Sequence, residues 1–433
     1  MLNQIRSLKD VVDWGLCTGC GACHYNCDKG AVQLVNVQSL GIRPQFTSEG
    51  CAGCTRCLSI CPGIHIDGQQ ATASAIASEF DSEIGAVLEI WEGHASDPEI
   101  RYRGSSGGVL SALALYCLEC EGMKSVVHSG KSNDQPWANI THVSRNREQV
   151  LSHTGSRYAP SSPCEGLDEI EHSDGPCVFI GKPCDTAAVR MLRTERAQLD
   201  RNLGLVLTFF CAGTPSAQGT LDLIDFLGVD HDNVRSVRYR GEGWPGEFRI
   251  LQRDNSTEKS LTYAESWERL TGYRPLRCNL CPDGLGRVAD ISCGDAWHKF
   301  DSTGAPGRSL VLVRTKRGQE ILRRAIAAKY VDLRPASGDE VLSAQSSLLN
   351  RRRELFGRLL ALWFLGIPIP RFVNFSLMRS WLRLPMLRQV QTVTGTLRRA
   401  VLRGWRRRRP PVFVEASVSD KKQAVPSPEQ ELV

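Results

Sequence analysis

The feature that most constrains this chain is a cysteine pattern that occurs twice within its first 61 residues. Eight cysteines share the spacing C-x2-C-x2-C-x3-C, in two runs: Cys17, Cys20, Cys23 and Cys27, then Cys51, Cys54, Cys57 and Cys61. A cubane iron–sulfur cluster needs four thiolates around one small inorganic core, and a run of this spacing supplies three of them from consecutive turns. The sequence therefore predicts two 4Fe-4S clusters in this segment.

The fourth cysteine of each run is expected to bind the cluster of the other run, which ties the two halves into one unit. Cys61 then joins the first three cysteines, and Cys27 joins Cys51, Cys54 and Cys57. Disulfides would need an oxidising compartment, and residues 1–16 lack the apolar run of a secretory signal. Zinc sites usually present two separated ligand pairs rather than two evenly spaced quartets. We expect clusters, rather than an apolar core, to hold this module together.

Charge is distributed unevenly along the 433 residues. The formal net charge is +6, yet residues 351–409 hold 15 arginines and one acid, Glu354, for a local +14, and residues 1–350 are net negative at −6. The basic segment fits an amphipathic helix on anionic lipid, or equally a partly disordered or partner-covered tail. Nucleic acid is disfavoured because no binding fold accompanies the charge. The apolar run at 359–370 is too short to span a bilayer.

Two motifs in the middle of the chain suggest a bound cofactor. Residues 104–108 read GSSGG and precede an apolar helical pattern, so free backbone N–H groups at a helix start could bind a phosphate. A plain helix cap explains this loop equally well. The turn GEGWPG at 241–246 could lay the Trp244 ring against a flat ligand, although such tips also occur in ordinary surface hairpins.

Four further cysteines follow strands or turns. A buried strand, a Gly-x-Pro-Cys turn and a helix are predicted around Cys184, where the helix dipole favours thiolate, and another strand leads into Cys211. Cys278 and Cys281 form a C-x-x-C pair, which alone is ambiguous among zinc, a dithiol and half an iron–sulfur site. Together with Cys184 and Cys211, this pair would complete the ligand set of a third cubane cluster.

Six motifs together resemble a known family. They are SSGG at 105–108, GKPCDTAA at 181–188, FCAGTPS at 210–216, YRGEGWPG at 239–246, CNLCPD at 278–283 and ADISCGDAW at 289–297. Over roughly residues 10–335 the chain resembles the beta subunit of coenzyme F-420 hydrogenase and dehydrogenase, whose relatives include 7-hydroxymethyl chlorophyll a reductase. The arginine-rich arm lies outside this resemblance.

The resemblance implies FAD and a third 4Fe-4S cluster. FAD would contact Ser105, Ser106, Gly107 and Gly108, and the third cluster would be bound by Cys184, Cys211, Cys278 and Cys281. Lys182 stands where the family usually has threonine and would add a positive charge near the flavin, and Trp244 is a further candidate contact. Cys293 is either a substitute ligand or a small buried thiol.

The expected architecture has three folded parts. An α+β ferredoxin-like two-cluster module (1–68) is followed by a linker (69–85) and an α/β flavin-binding domain with a mixed sheet (86–335). A helical basic C-terminal arm (336–409) and a disordered tail (410–433) complete the chain.

The expected function is that of a cytoplasmic iron–sulfur flavoprotein, peripheral to the inner membrane face if the arm binds lipid. Electrons would pass between ferredoxin or a partner subunit and FAD, with hydride exchange to an organic acceptor such as coenzyme F-420. The alternatives are a non-catalytic electron-transfer subunit, or a membrane-associated reductase acting on polysaccharide or lipid-linked precursors. The sequence identifies no catalytic side chain.

Overall fold

The structure is a computed structural model that describes residues 5–47, 51, 53–69, 81–254, 258–300 and 304–413. Its strands are β1 Val32–Val37, β2 Gly41–Phe46, β3 His65–Asp67, β4 Glu89–Ala95, β5 Val126–Lys131, β6 Asn139–Ser144, β7 Cys177–Gly181, β8 Leu203–Phe209, β9 Val234–Arg238, β10 Glu247–Gln252, β11 Lys259–Thr262, β12 Ile291–Asp295, β13 Ser309–Val313, β14 Val331–Pro335 and β15 Arg371–Val373. Its α-helices are Leu8–Asp13, Ala22–Tyr25, Arg56–Ser59, Asp81–Ile84, Pro98–Arg103, Val109–Glu119, Arg147–Ser152, Leu167–Glu171, Pro183–Glu195, Ala197–Asn202, Ala217–Phe226, Tyr263–Thr271, Leu276–Asn279, Lys316–Ala327, Gly338–Ala344, Ser346–Arg353, Leu355–Phe364, Leu377–Leu382 and Met386–Leu402.

The largest element is an eight-stranded mixed sheet with the order β14-β4-β13-β12-β8-β7-β5-β6. The neighbouring pairs β5–β7, β7–β8 and β8–β12 are parallel, and the pairs nearer the two edges are antiparallel. The mixed sheet predicted for the α/β domain is therefore confirmed.

Helices cover both faces of this sheet because its central strands are apolar on both sides. In β8, Leu205 packs with the helix Val109–Glu119, whereas the next residue, Val206, packs with the helix Pro183–Glu195 on the opposite face. A second sheet, β11-β10-β9, packs against the helices Ala217–Phe226 and Tyr263–Thr271.

The N-terminal module shares an apolar core with the C-terminal arm. Val11 and Leu16 pack in one cluster with Leu355 and Leu362, and the module's β3 pairs in parallel with β15 of the arm. Arg408 also forms a 2.8 Å ion pair with Asp10. The expectation that clusters alone hold the module together is wrong, because the arm supplies much of its apolar packing.

The basic arm is folded where the structure describes it. Residues 338–402 form five helices and β15, so the disordered alternative is wrong for this stretch. Residues 70–80 of the predicted linker and 414–433 of the predicted tail lie outside the described residues. The domain limits proposed from sequence stay predictions.

Candidate functional site

The two N-terminal cysteine runs fold so that the fourth member of each lies with the other run. Burial, and then the charges of Cys20 and Cys17, raise the pKa of the Cys61 thiol. Burial, and then the charge of Cys27, raise the pKa of Cys57 to about 12. We call the group of Cys17, Cys20, Cys23 and Cys61 the inner quartet, and the group of Cys27, Cys51, Cys54 and Cys57 the outer quartet.

The donor chemistry of the quartets suits iron–sulfur clusters. All eight thiols are free, and backbone N–H groups already point at sulfur: Gly19 N donates to Cys17 Sγ at 3.4 Å and Ala31 N to Cys27 Sγ at 3.3 Å. Cys17 is buried, whereas Cys54 is exposed. The outer quartet is therefore the one that an external protein can approach.

The four cysteines of the predicted third site also converge. Burial dominates the raised pKa of Cys184, and the charges of Cys211 and Cys281 contribute. Burial and then the neighbouring Cys278 and Cys281 raise the pKa of Cys211 to about 12. We call Cys184, Cys211, Cys278 and Cys281 the third quartet. The idea that the helix dipole favours thiolate at Cys184 is wrong for the free thiol, because burial outweighs it.

Cys293 lies apart from the third quartet. It is 4% exposed within β12, and burial alone raises its pKa to about 12, without the charge of any neighbouring thiol. Its backbone carbonyl accepts a hydrogen bond from Phe210 N at 2.8 Å. The structure therefore favours a buried core thiol over a substitute ligand at this position.

Arg277 joins the inner quartet to the third quartet. Its guanidinium, 2% exposed, donates to the carbonyls of Pro62 at 2.7 Å and Gly63 at 3.0 Å, next to Cys61, and to Leu280 O at 3.1 Å, next to Cys281. Burial raises the pKa of the two thiols, and the charge of Arg277 lowers it at each. One buried cation thus acts on two cysteine groups.

A cavity of about 320 Å³ opens beside the third quartet. Residues at the carboxyl ends of β7, β8 and β12 line it, which is the edge where open α/β sheets bind ligands. Its volume falls in the usual range for small-molecule sites. Cys211 belongs to the third quartet and also lines the cavity, so a cluster there would lie directly beside a bound ligand.

The predicted Ser-Gly loop borders this cavity. Ser105, Ser106 and Gly108 line it, whereas Gly107 fits so closely against β4 that an added Cβ would lie 2.5 Å from Gly93 O. Gly108 has φ of 75° and starts the helix Val109–Glu119. Only glycine adopts that angle readily, so the loop can present its backbone at the cavity mouth.

Three cationic side chains line the cavity. Lys182 is 5% exposed, forms a 2.8 Å ion pair with Asp185 and donates to Ser161. Arg240 is 2% exposed and binds Asp295 through two hydrogen bonds of 2.9 and 2.7 Å. Burial works to lower the pKa of each cation, and the neighbouring carboxylate raises it above its usual value.

The third cation, Arg157, has no carboxylate partner among the residues that the structure describes. It donates to Asn139 Oδ1 at 2.5 Å and to the carbonyls of Val237 and Pro136. Burial lowers its pKa, yet the group stays a cation at neutral pH. Its charge is therefore available to an anionic ligand.

Stacked aromatic rings form another part of the wall. Tyr263 and Trp297 stack with their ring centroids 5.5 Å apart and an interplanar angle of 12°, and Arg240 lies over both rings. Trp244 is not in the lining. It stacks on Trp297 at 5.2 Å and donates to Asp295 Oδ1 at 2.9 Å, so it supports the wall from behind.

Sequence reasoning missed two histidines in the cavity wall. His128 and His153 line it, and the rings of His142 and His153 stack with centroids 3.8 Å apart. Burial lowers the pKa of His128 to about 4 and that of His153 to about 3, so both are neutral at pH 7. His128 lies in β5, and no motif of the sequence marked it or His153 as part of a site.

Comparisons with known families agree with this arrangement. Residues 90–167 match the coenzyme F420 hydrogenase/dehydrogenase beta subunit N-terminal domain, and residues 176–339 match the corresponding C-terminal domain, together more than half of the chain. The chain belongs to this family. Residues 16–63 also match a 4Fe-4S dicluster domain. The predicted family and its N-terminal cluster module are thereby confirmed.

The curated proteins with sequences similar to this chain include three that are named for coenzyme F420. The coenzyme F420 hydrogenase subunit beta of Methanosarcina barkeri is 26% identical over 263 residues, covering 59% of this chain and 84% of that protein. The F420-dependent formate dehydrogenase 1 subunit beta of Methanococcus maripaludis is 28% identical, covering 56% of this chain and 60% of that protein. The coenzyme F420-dependent sulfite reductase of Methanocaldococcus jannaschii is 24% identical, covering 72% of this chain but 46% of that enzyme.

Among solved structures, a chain from the F420-reducing NiFe hydrogenase complex of Methanosarcina barkeri aligns with a TM-score of 0.49 and 22% identity, over 62% of this chain and 88% of that one. Within the described residues, no helix combines the length and the apolar character needed to cross a bilayer.

Proposed function

We propose that this family member is an FAD- and iron–sulfur-dependent oxidoreductase. In this proposal it passes electrons between ferredoxin, or a partner subunit, and an organic acceptor such as coenzyme F420. One observation carries the proposal: Cys211 belongs to the third quartet and lines the cavity. A cluster on these thiols would lie beside whatever the cavity binds.

The cavity residues fit FAD. FAD is an anion with a flat ring, and when bound it exchanges a hydride with the acceptor and single electrons with a cluster. Arg157 supplies a cation without a carboxylate partner among the described residues, and Lys182 adds one that is paired with Asp185. The backbone of Ser105, Ser106 and Gly108 at the cavity edge is placed for phosphate, whereas Gly107 N already donates to Ser309 Oγ at 2.9 Å. The stacked aromatic wall suits a flat ring.

The three quartets define an order for electron transfer. The outer quartet includes the exposed Cys54 and receives electrons from a protein partner. The inner quartet, of which Cys17 and Cys20 are buried, is bridged to the third quartet by Arg277. In this order, electrons enter at the quartet with the exposed Cys54 and leave through the third quartet, whose Cys211 lines the cavity.

The test is anaerobic purification of the whole chain with measurement of iron, sulfide and flavin. We expect about twelve irons and one FAD per chain. About eight irons with bound FAD would assign the third quartet another task. A preparation that holds clusters but no flavin, even after incubation with FAD, would overturn the enzyme proposal.

A second candidate is a relay subunit without its own acceptor, because the first two relatives are named as subunits. The two candidates differ in what the purified chain does alone. With chemically reduced ferredoxin as electron donor, an enzyme reduces coenzyme F420 at a measurable rate, whereas a relay subunit takes up electrons without reducing it.

A further inference from the structure

Among the residues that the structure describes, the helix Met386–Leu402 is covered on one side only. Thr392, Thr396 and Ala400 are buried on its inner side, where it packs against the helix Leu355–Phe364. The packing is close, since a Cβ added at Gly357 would lie 2.5 Å from Thr392 Oγ1. The helix is therefore held firmly in place, and its other side faces outwards.

The outer side carries an apolar stripe. Met386, Val390 and Val401 are 80%, 53% and 59% exposed, and their spacing of four and eleven residues puts them on one side of the helix. Leu387 and Leu402 lie beside them and are 70% and 73% exposed. We call these five residues the docking face. Exposed apolar residues aligned in this way are typical of an interaction surface.

The surroundings of the docking face are strongly basic. Residues 371–413 contain eleven arginines and no lysine, aspartate or glutamate. Arg388 and Arg408 pair with Glu354 and Asp10. The other nine are exposed and have no ion pair within the described part of the chain: Arg371, Arg379, Arg383, Arg398, Arg399, Arg403, Arg406, Arg407 and Arg409.

We propose that the docking face binds the surface of a membrane rich in anionic phospholipid. Such a surface offers negative headgroups above an apolar layer, which matches an apolar stripe surrounded by unpaired arginines. The family match ends at residue 339, so nothing in it accounts for this surface. Because the arm shares its core with the N-terminal module, docking holds both N-terminal quartets close to the membrane.

The test uses the full-length protein with its clusters and two kinds of vesicle, phosphatidylcholine alone and phosphatidylcholine with one quarter phosphatidylglycerol. We expect sedimentation with the anionic vesicles only, and weaker binding as salt rises from about 0.1 to about 0.5 M. Met386→Gln/Val390→Gln/Val401→Gln should lower the vesicle partition coefficient by on the order of 100-fold. Arg379→Gln/Arg383→Gln/Arg398→Gln/Arg403→Gln should lower it by at least as much.

Matched controls distinguish this surface from general stickiness. Leu251→Gln/Ile140→Gln replaces exposed apolar residues elsewhere, and Arg145→Gln/Arg323→Gln removes exposed arginines of the main body. Each should leave vesicle binding unchanged. Iron content and visible absorption, unchanged in every variant, show that folding is intact. Deleting the arm is a poorer test because it would expose the shared core.

Three results would overturn the proposal. The intact protein could fail to bind anionic vesicles, or the apolar triple variant could bind them as well as the parent, which would reduce the contact to charge alone. Alternatively, the parent could form a dimer that the apolar triple variant dissolves, which would assign the face to a second copy. Because vesicle binding needs no electron acceptor, these outcomes are independent of the proposed redox function.

Discussion

The inner and outer quartets differ from the third quartet in how the chain assembles them. The first two draw all eight thiols from residues 17–61, whereas the third gathers Cys184, Cys211, Cys278 and Cys281 from three separate segments of the α/β sheet region. Local spacing therefore specifies the first two, and the tertiary fold specifies the third. Only the third adjoins the cavity, so the ligand set that depends on the fold is also the one beside the chemistry.

Removing single cysteines gives the largest expected effect and tests this contrast directly. Cys211→Ala should lose about four irons, keep about eight and stop electron delivery to bound flavin, because the thiol lies between cluster and cavity. Cys54→Ala should also lose about four irons but leave the flavin reducible by a chemical donor. Iron analysis and anaerobic flavin bleaching measure both.

Cys293→Ala is the matched control for these variants. Its thiol is buried but is not among the groups that shift the pKa of the third quartet, so iron content should stay at the parental value. Loss of four irons in Cys293→Ala would instead place this residue among the ligands.

Replacing Arg157 should weaken the binding of FAD in the cavity without affecting the cysteine quartets. Arg157→Gln removes a cation that has no carboxylate partner in the described residues, and a charge-assisted hydrogen bond contributes about 1.5–3 kcal/mol. We expect the dissociation constant for FAD to rise by about 10- to 150-fold, measured by titration of the flavin-free protein. Arg145→Gln, on the exposed surface, should change nothing. Equal affinities in parent and Arg157→Gln would place the FAD phosphates elsewhere.

Replacing Arg277 tests the link between the inner quartet and the third quartet. Arg277→Met removes a buried positive charge near Cys61 and Cys281, which should make reduction of both neighbouring clusters harder. A Coulomb energy of roughly 1–2 kcal/mol at an effective dielectric of about 20 corresponds to a negative shift of about 50–100 mV. Potentiometric titration followed by electron paramagnetic resonance measures it.

Arg277→Lys keeps the charge and should keep most of the potential. The outer quartet should change little in either variant, since Arg277 contacts only the other two groups. A shift confined to the outer quartet would contradict the bridging role.

The smallest effect concerns pH and the histidines of the cavity wall. Because the pKa of His128 is lowered to about 4 in the fold, the unfolded chain binds the proton more readily below pH 6.5. Stability is then complete above pH 6.5 and falls as the pH decreases towards 4, by about 2 kcal/mol between pH 7 and pH 5. His142 faces both His128 and His153, and Lys131 and Arg157 also lie near His153. Each of these neighbours disfavours protonation of the histidine that it faces.

His128→Gln should reduce this loss of stability, observed as a smaller drop in melting temperature between pH 7 and pH 5. His172→Gln, at an exposed position, is the matched control and should behave like the parent. An unchanged pH response in His128→Gln would show that the acid sensitivity arises elsewhere.

The sequence was enough to predict some parts of the fold and of the site, but not others. Spacing was enough to predict the inner and outer quartets, and apolar patterning predicted β7, β8 and the helix Pro183–Glu195. The sequence alone could not reveal that Arg157 and Arg240 face the same cavity, because their neighbours come from strands far apart in sequence. Nor could it show that Trp244 lies behind Trp297, since an aromatic turn looks the same whether its ring lines a site or supports one.

The helical character of the arm was predicted, but its packing against the module was not, and the reason is physical. An arginine-rich segment looks solvated in sequence, yet Leu355, Leu362 and Trp405 between those arginines pack against residues of the first helix. Cysteine-rich modules can be small enough to do without a core, and only the structure shows that this one has one.

The pairing of β3 with β15 has a consequence for synthesis. A ribosome releases the N-terminal module more than 300 residues before β15, and Arg409, whose backbone N–H donates to Asp13 O, is added later still. Until then the apolar side of the module has no partner and resembles a folding intermediate that needs protection from aggregation. Burial of the module's apolar side therefore depends on a segment synthesised more than 300 residues later, so completion of its core is coupled in time to synthesis of the arm.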